Sequence, residues 1–212
     1  MRSSRPMTCA ALAILVLSAT GLTRRPTKRP DGTLNYLLGS FLAAGLVAGC
    51  TTTTTIATGM PAGGPSATAK LLPTKGNRAS GAVTFTQQAN HVLVRANVTG
   101  LTPNGEHGFH VHEKGDCSAS DAMSAGGHFN PGGMRHGNPR SGVHHVGDMP
   151  NLKADANGVA TLTWEEVHFT VTDGPDSIIG RSVVVHLNPD DYTSQPAGSS
   201  GPRIACGIIA KN

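Results

Sequence analysis

Aromatic side chains are scarce in this chain: one tryptophan, two tyrosines and five phenylalanines among 212 residues. Glycine and proline are plentiful, at 27 and 14. That balance argues against a helical bundle and for a β-rich, loop-rich fold, and no stretch carries a sustained helical period. A surplus of charge of one sign is also missing once position is considered. The formal net charge is +4, yet residues 1–49 hold six Lys/Arg against one Asp, and the remainder holds 11 Lys/Arg against 12 Asp/Glu. The basic excess belongs to the first 49 residues, so no nucleic-acid partner is expected. The length leaves room for one domain of ordinary size plus a leader.

Long hydrophobic runs are missing too. The apolar stretches at 9–22 and 34–49 are shorter than the ~20 residues a spanning helix needs. They read as a leader, 1–49, to be set aside from the fold. The first run is either part of that leader or sequence ahead of the true start codon. The second follows basic residues and ends in Val47-Ala48-Gly49-Cys50, which resembles the bacterial lipobox; the alternative is an ordinary signal sequence with an incidental Cys. The lipobox reading implies acylation of Cys50, a membrane anchor and an exported protein in the cell envelope or periplasm. The threonine-, glycine- and proline-rich residues 50–66 then form a disordered linker. Export suits the cysteines, because Cys117 and Cys206 remain as an even pair in an oxidising compartment.

The folded domain is expected over 67–212. Apolar and polar residues alternate at Val83 and Phe85, at Val92, Val94, Ala96 and Val98, at Ala160, Leu162 and Trp164, and at Val167, Phe169 and Val171. These predict short strands, separated by turns such as Pro103-Asn104-Gly105 and Ala156-Asn157-Gly158. Two long segments, about 113–150 and 188–203, carry no strand pattern, and strandless segments of that length are usually functional. The expected architecture is all-β: a Greek-key antiparallel sandwich or flattened barrel with two long active-site loops.

Six histidines and one aspartate carry the chemistry: His110, His112, His128, His136, His145, His186 and Asp148. His110 and His112, two apart on a strand, project from one face, while Phe109 and Val111 point into a core. His186 ends the Val183-Val184-Val185 run, a strand that can lie beside the first. His128, His136, His145 and Asp148 supply three imidazoles and a carboxylate, a closed tetrahedral set for zinc. Two four-coordinate metals need eight ligand places and seven residues are present. One imidazole bridging both metals resolves the shortage, and counting alone does not say which.

Gly108-Phe109-His110-Val111-His112-Glu113, Gly127-His128-Phe129-Asn130-Pro131, His145-Val146-Gly147-Asp148, Ile179-Gly180-Arg181 and Arg203-Ile204-Ala205-Cys206-Gly207 together resemble the copper–zinc superoxide dismutase family. The likeness covers about 67–212. Asp190-Asp191-Tyr192, Ser194-Gln195-Pro196 and Gly115-Asp116-Cys117 resemble its exported bacterial branch. The resemblance implies copper on His110, His112, His128 and His186, and zinc on His128, His136, His145 and Asp148, with His128 the bridge. It implies a Cys117–Cys206 disulfide, an Asp190 carboxylate linking a copper histidine to a zinc histidine, and an anion-guiding Arg203. His144 adjoins His145, and only Val146-Gly147-Asp148 selects the latter.

The implied reaction is dismutation of superoxide to oxygen and hydrogen peroxide at a copper centre with structural zinc. His128 and Arg203 act as the catalytic side chains, and the enzyme protects the cell envelope from extracytoplasmic superoxide. A copper-delivery protein on the same scaffold is expected to lack a copper ligand or Arg203, and this chain keeps both. Family members of this branch include monomers and homodimers. Lys114 is a candidate for steering anions. His91 and His168 read as surface residues, His107 as a hydrogen-bonding core residue, and Trp164 as core or subunit contact.

Overall fold

Strict alternation builds the sheet. In β3 (Val92–Thr99) Val92, Val94, Ala96 and Val98 are buried, while Arg95, Asn97 and Thr99 face solvent. This computed structural model describes residues 63–212. The leader, Cys50 and residues 51–62 of the proposed linker lie outside the described residues. Antiparallel partners flank β3: β2 (Ser80–Gln87) on one side and β7 (Ala160–Glu166) on the other. β1 (Ser66–Pro73) joins β2 to β9 (Arg203–Lys211), and β8 (Ser182–His186) joins β9 to β5 (Phe109–His112).

The sheet order is therefore β5-β8-β9-β1-β2-β3-β7. Two further strands, β4 (Glu106–His107) and β6 (Leu152–Lys153), pair with each other. β6 packs against β7, and β4 runs through Gly108 into β5. The sheet thus curls round towards its own first strand, the flattened all-β barrel that the sequence predicts. Inside lie Leu71, Phe85, Phe109, Met149, Leu152, Ile178 and Ile209, all fully buried. With few aromatics, the rest of the filling falls to valine and alanine.

The predicted strand at 167–171 does not form. Glu166 ends β7 by turning its carboxylate back, where Oε1 accepts the backbone N–H of Val167 and of His168, both at 2.8 Å. Those donors are lost to any ladder. Phe169 and Val171 still reach the core, with Phe169 edge-on to Phe85 at 5.9 Å, while Val167 is exposed.

The two expected long loops are present. Residues 113–151 contain only a 3-10 turn, Met123–Ala125, and residues 187–202 contain no strand. Cys117 and Cys206 form the disulfide that ties the first loop to β9. Among the described residues no helix is long and apolar enough to cross a membrane.

Candidate metal centre

β5 is the frame of the site. Phe109 and Val111 enter the core, which turns His110 and His112 to the opposite face. Register with β8 sets His110 against Val184 and leaves His186 at the far end of that strand. His186 donates its backbone N–H to the Gly108 carbonyl at 2.8 Å, so the third imidazole is tied to the strand bearing the first two.

The 113–151 loop is threaded onto the same strand. The Val111 N–H donates to the Gly147 carbonyl, Phe129 to Val111 and Gly147 to Phe129, each at 2.8 Å. The three bonds put His128 opposite His112 and Asp148 opposite His110. Phe129 is buried beneath them, and the Arg181 guanidinium lies 3.6 Å from its ring centroid. The second loop clamps the first: Gln195 Oε1 accepts the His136 N–H at 3.0 Å, and Gln195 Nε2 donates to the His136 carbonyl at 2.9 Å.

Two groups of donor atoms result. His110, His112, His128 and His186 form one, and His128, His136, His145 and Asp148 the other, with the donors of each within 4.8 Å of one another. All seven residues are buried, and His128 is common to both groups. His128 is thus the one histidine placed within reach of both groups. His145, not His144, enters the second group.

Outer hydrogen bonds fix which nitrogen of each ring carries the proton. His112 Nδ1 donates to the Gly126 carbonyl at 3.0 Å and His186 Nδ1 to the Gly201 carbonyl at 3.1 Å. A carbonyl only accepts, so both rings keep their lone pair on Nε2, and these two atoms face each other at 3.4 Å. Asp190 does the same for two other rings. Its Oδ2 accepts from His110 Nε2 at 2.8 Å and its Oδ1 from His136 Nε2 at 2.9 Å, which turns Nδ1 of each ring towards the site. Asp190 is itself held by a paired exchange with Asn151 and by the Tyr192 N–H on its carboxylate. A Cβ on Gly198 would strike that carboxylate, which is why the loop can close over it only with glycine there.

Opposed lone pairs need a positive charge between them, and a proton fits poorly. Burial, then the neighbouring imidazoles, holds His112 and His186 well below the ordinary histidine range. Burial and His110 bring His128 down to about 3. His110 Nδ1 and His128 Nε2 are buried with no hydrogen-bond partner, as a metal ligand's nitrogens should be. The other end differs. Burial opposes charge on His136, but the carboxylates of Asp148 and Asp190 on either side raise it to about 9. Burial works against Asp148 and Asp190 as well, and their histidine hydrogen bonds override it and hold both below the usual carboxylate range. An all-imidazole group beside a carboxylate-bearing one suits copper and zinc respectively.

One face of the site is open. A cleft of about 410 Å³ is lined by His112, His128, His186, Pro196, Ala197 and Arg203, among others. Arg203 is half-buried there, donating through Nη1 to the Ala122 carbonyl at 2.7 Å and through Nη2 to the Gly126 carbonyl at 2.6 Å. Gly126 sits at φ +74°, and a Cβ there would run into the Glu113 carboxylate. A larger hollow of about 590 Å³ adjoins the cleft at His186 and Arg203, and its further cation is Lys75; Lys114 lines neither.

Among the remaining candidates, His107 is a buried residue whose Nδ1 donates to the His186 carbonyl at 2.9 Å. Trp164 is half-buried against the core. The contributions that sequence reasoning missed are the Gly126 and Gly201 carbonyls, which leave no trace in side-chain identity, and the holding roles of Asn151 and Gln195. Gln195 had a signal, the Ser194-Gln195-Pro196 motif, without a role attached to it.

Two buried donor groups sharing one histidine, set on a flattened β-barrel with one cleft open to solvent, are those of a protein able to hold two metal ions side by side. Residues 79–209 match the family described as copper/zinc superoxide dismutase. "Superoxide dismutase [Cu-Zn] 2" of Aquifex aeolicus (strain VF5) is 40% identical over 147 residues, 68% of this chain and 85% of that protein. "Extracellular superoxide dismutase [Cu-Zn]" of Brugia pahangi is 42% identical over 154 residues, 68% of this chain and 75% of that protein. The chain belongs to the copper/zinc superoxide dismutase family, and its activity is the dismutation of superoxide with copper and zinc.

Proposed function

We propose that His110, His112, His128 and His186 hold copper, that His128, His136, His145 and Asp148 hold zinc, and that the enzyme removes superoxide outside the cytoplasm. The observation that carries the assignment is the pair of facing, unprotonated Nε2 atoms of His112 and His186, beside the unpartnered nitrogens of His110 and His128. Copper supplies the reversible one-electron exchange that two superoxide anions require, and zinc, which has no redox chemistry, supplies fixed charge.

The protein's own groups do the rest. Arg203, backed by two carbonyls, presents a positive guanidinium beside His186 at the open cleft, where it draws a small anion towards the imidazoles. The buried rings exclude water from the donor atoms. His128 Nε2, at the cleft and free of any protein partner, is the atom placed to carry a proton to the departing peroxide. Asp190 and the zinc group keep that ring in place.

Export is supported by the Cys117–Cys206 bond, which belongs in an oxidising compartment, and by the Brugia pahangi relative, described as extracellular. Acylation of Cys50 with a membrane anchor, the 1–49 leader and the 50–66 linker complete the reading, with the catalytic domain on 67–212 as a monomer or homodimer and defence of the cell envelope as its role.

The test is superoxide dismutation by copper- and zinc-loaded protein. His186→Ala is expected to lower activity at least about a hundredfold, since loss of even an outer partner costs a metal site 10–100-fold. Arg203→Ala is expected to lower kcat/KM by about tenfold. The remaining activity should depend less on salt, because screening acts over a Debye length of about 8 Å at physiological ionic strength. A fully metallated wild type with no activity, delivering copper to an acceptor instead, would overturn the enzymatic reading of these residues.

A further inference from the structure

Glu166 is buried in the described structure with no part in the metal centre. Its carboxylate is fully engaged: Oε2 accepts the Trp164 indole N–H at 2.9 Å, and Oε1 accepts two backbone N–H groups. Oε1 also accepts from His168 Nδ1, at 2.7 Å. A buried carboxylate orienting an imidazole is the arrangement that Asp190 makes with His110 inside the site. Here, however, the ring it orients is half-exposed.

Beside it stands His144, whose ring centroid is 4.6 Å from that of His168, with the planes perpendicular at 90°. His144 is pinned in the same sense, because its Nδ1 donates to the His145 carbonyl at 2.7 Å. Each ring therefore has its proton on Nδ1 and its lone pair on Nε2. Neither Nε2 makes a hydrogen bond within the described residues. Perpendicular rings also occur within the zinc group, where His128 and His145 stand somewhat farther apart, 5.3 Å at 89°. Two imidazoles with set tautomers, one backed by a buried carboxylate, form the usual elements of a site for a borderline-soft divalent cation.

We propose that His144 and His168 form a third, surface cation site, for zinc or another divalent ion of the same chemistry, with water completing the coordination. It lies outside both donor groups described above, yet it touches one of them through the backbone, since His144 bonds the carbonyl of His145. An ion captured there is held one residue from a buried ligand of the zinc group. This is a place for a cation waiting to enter that group.

Zinc alone, titrated calorimetrically into protein already loaded with copper and zinc, tests the proposal. One further equivalent is expected. His168→Ala should weaken it by about tenfold or more, the scale on which losing even an outer partner costs a metal site. His144→Ala should do the same. His168 is remote in sequence from the two donor groups, so its variant keeps its resident metals and reads the outer site alone. No further equivalent, or one that survives His168→Ala, would overturn the proposal.

Discussion

Asp190→Asn is expected to loosen both metals at once, by about 10–100-fold each. One carboxylate accepts from His110 in the first group and from His136 in the second. Asparagine keeps the size, but its amide nitrogen turns N–H towards a ring N–H. One of the two histidines is then free to move its proton to Nδ1 and lose its lone pair for the site. The neighbouring carboxylate is the control. Asp191 is exposed and its carboxylate bonds only Thr193 and Ser194 in its own loop, so Asp191→Asn should leave metal content near that of the wild type. Metal retained after dialysis against graded chelator gives the readout, alongside dismutation. Unchanged retention in Asp190→Asn would show that the ring orientations are set elsewhere.

Loss of the disulfide carries the second large effect. Cys117 and Cys206 are separated by 89 residues, and on the chain-entropy view a loop of that size stabilises the fold by roughly 4–5 kcal/mol, with measured losses usually about 2–5. The bond does more than shorten the unfolded chain. Cys206 and Val184 lie on the outer face of β8 and β9, and the loop bearing Ala122 and Ala125 covers them. The same loop supplies the Ala122 carbonyl that fixes Arg203. Cys117→Ser with Cys206→Ser should therefore lower the unfolding free energy by about 2–5 kcal/mol at equal metal content. It should also lower kcat/KM, because Arg203 loses a support. Denaturant unfolding and steady-state rates measure the two separately. A loss under about 1 kcal/mol would mean that the covered face, and not the bond, holds the loop.

Much of this was legible beforehand, for identifiable reasons. Strands with one wet face, such as Val92–Thr99, announce themselves by alternation, and His110 and His112 inherit their common face from the same rule. β9 did not announce itself. Ile204, Ala205 and Cys206 are buried in succession because the core covers one face and the disulfide loop the other, which erases the period of two. β1 hid for a different cause: its inward residues Ala67 and Ala69 are too small to mark an alternation. The 167–171 pattern misled because Phe169 and Val171 are apolar for the core's sake, while Glu166 had already taken the ladder's donors. The residues whose donor atoms cluster were readable through linked motifs. Which histidine is shared, and which carbonyls hold the rings, needed three dimensions.

The Gly126 carbonyl accepts from His112 Nδ1 and from Arg203 Nη2 together. Arg203, proposed to guide the anion, and a ring of the all-imidazole group therefore hang from one peptide unit, not from separate stretches of loop. When the loop fluctuates, both ends of the substrate's last few ångströms move as one body. The spacing between Arg203 and the His112 ring is then a property of a single bond group rather than of the long strandless segment around it.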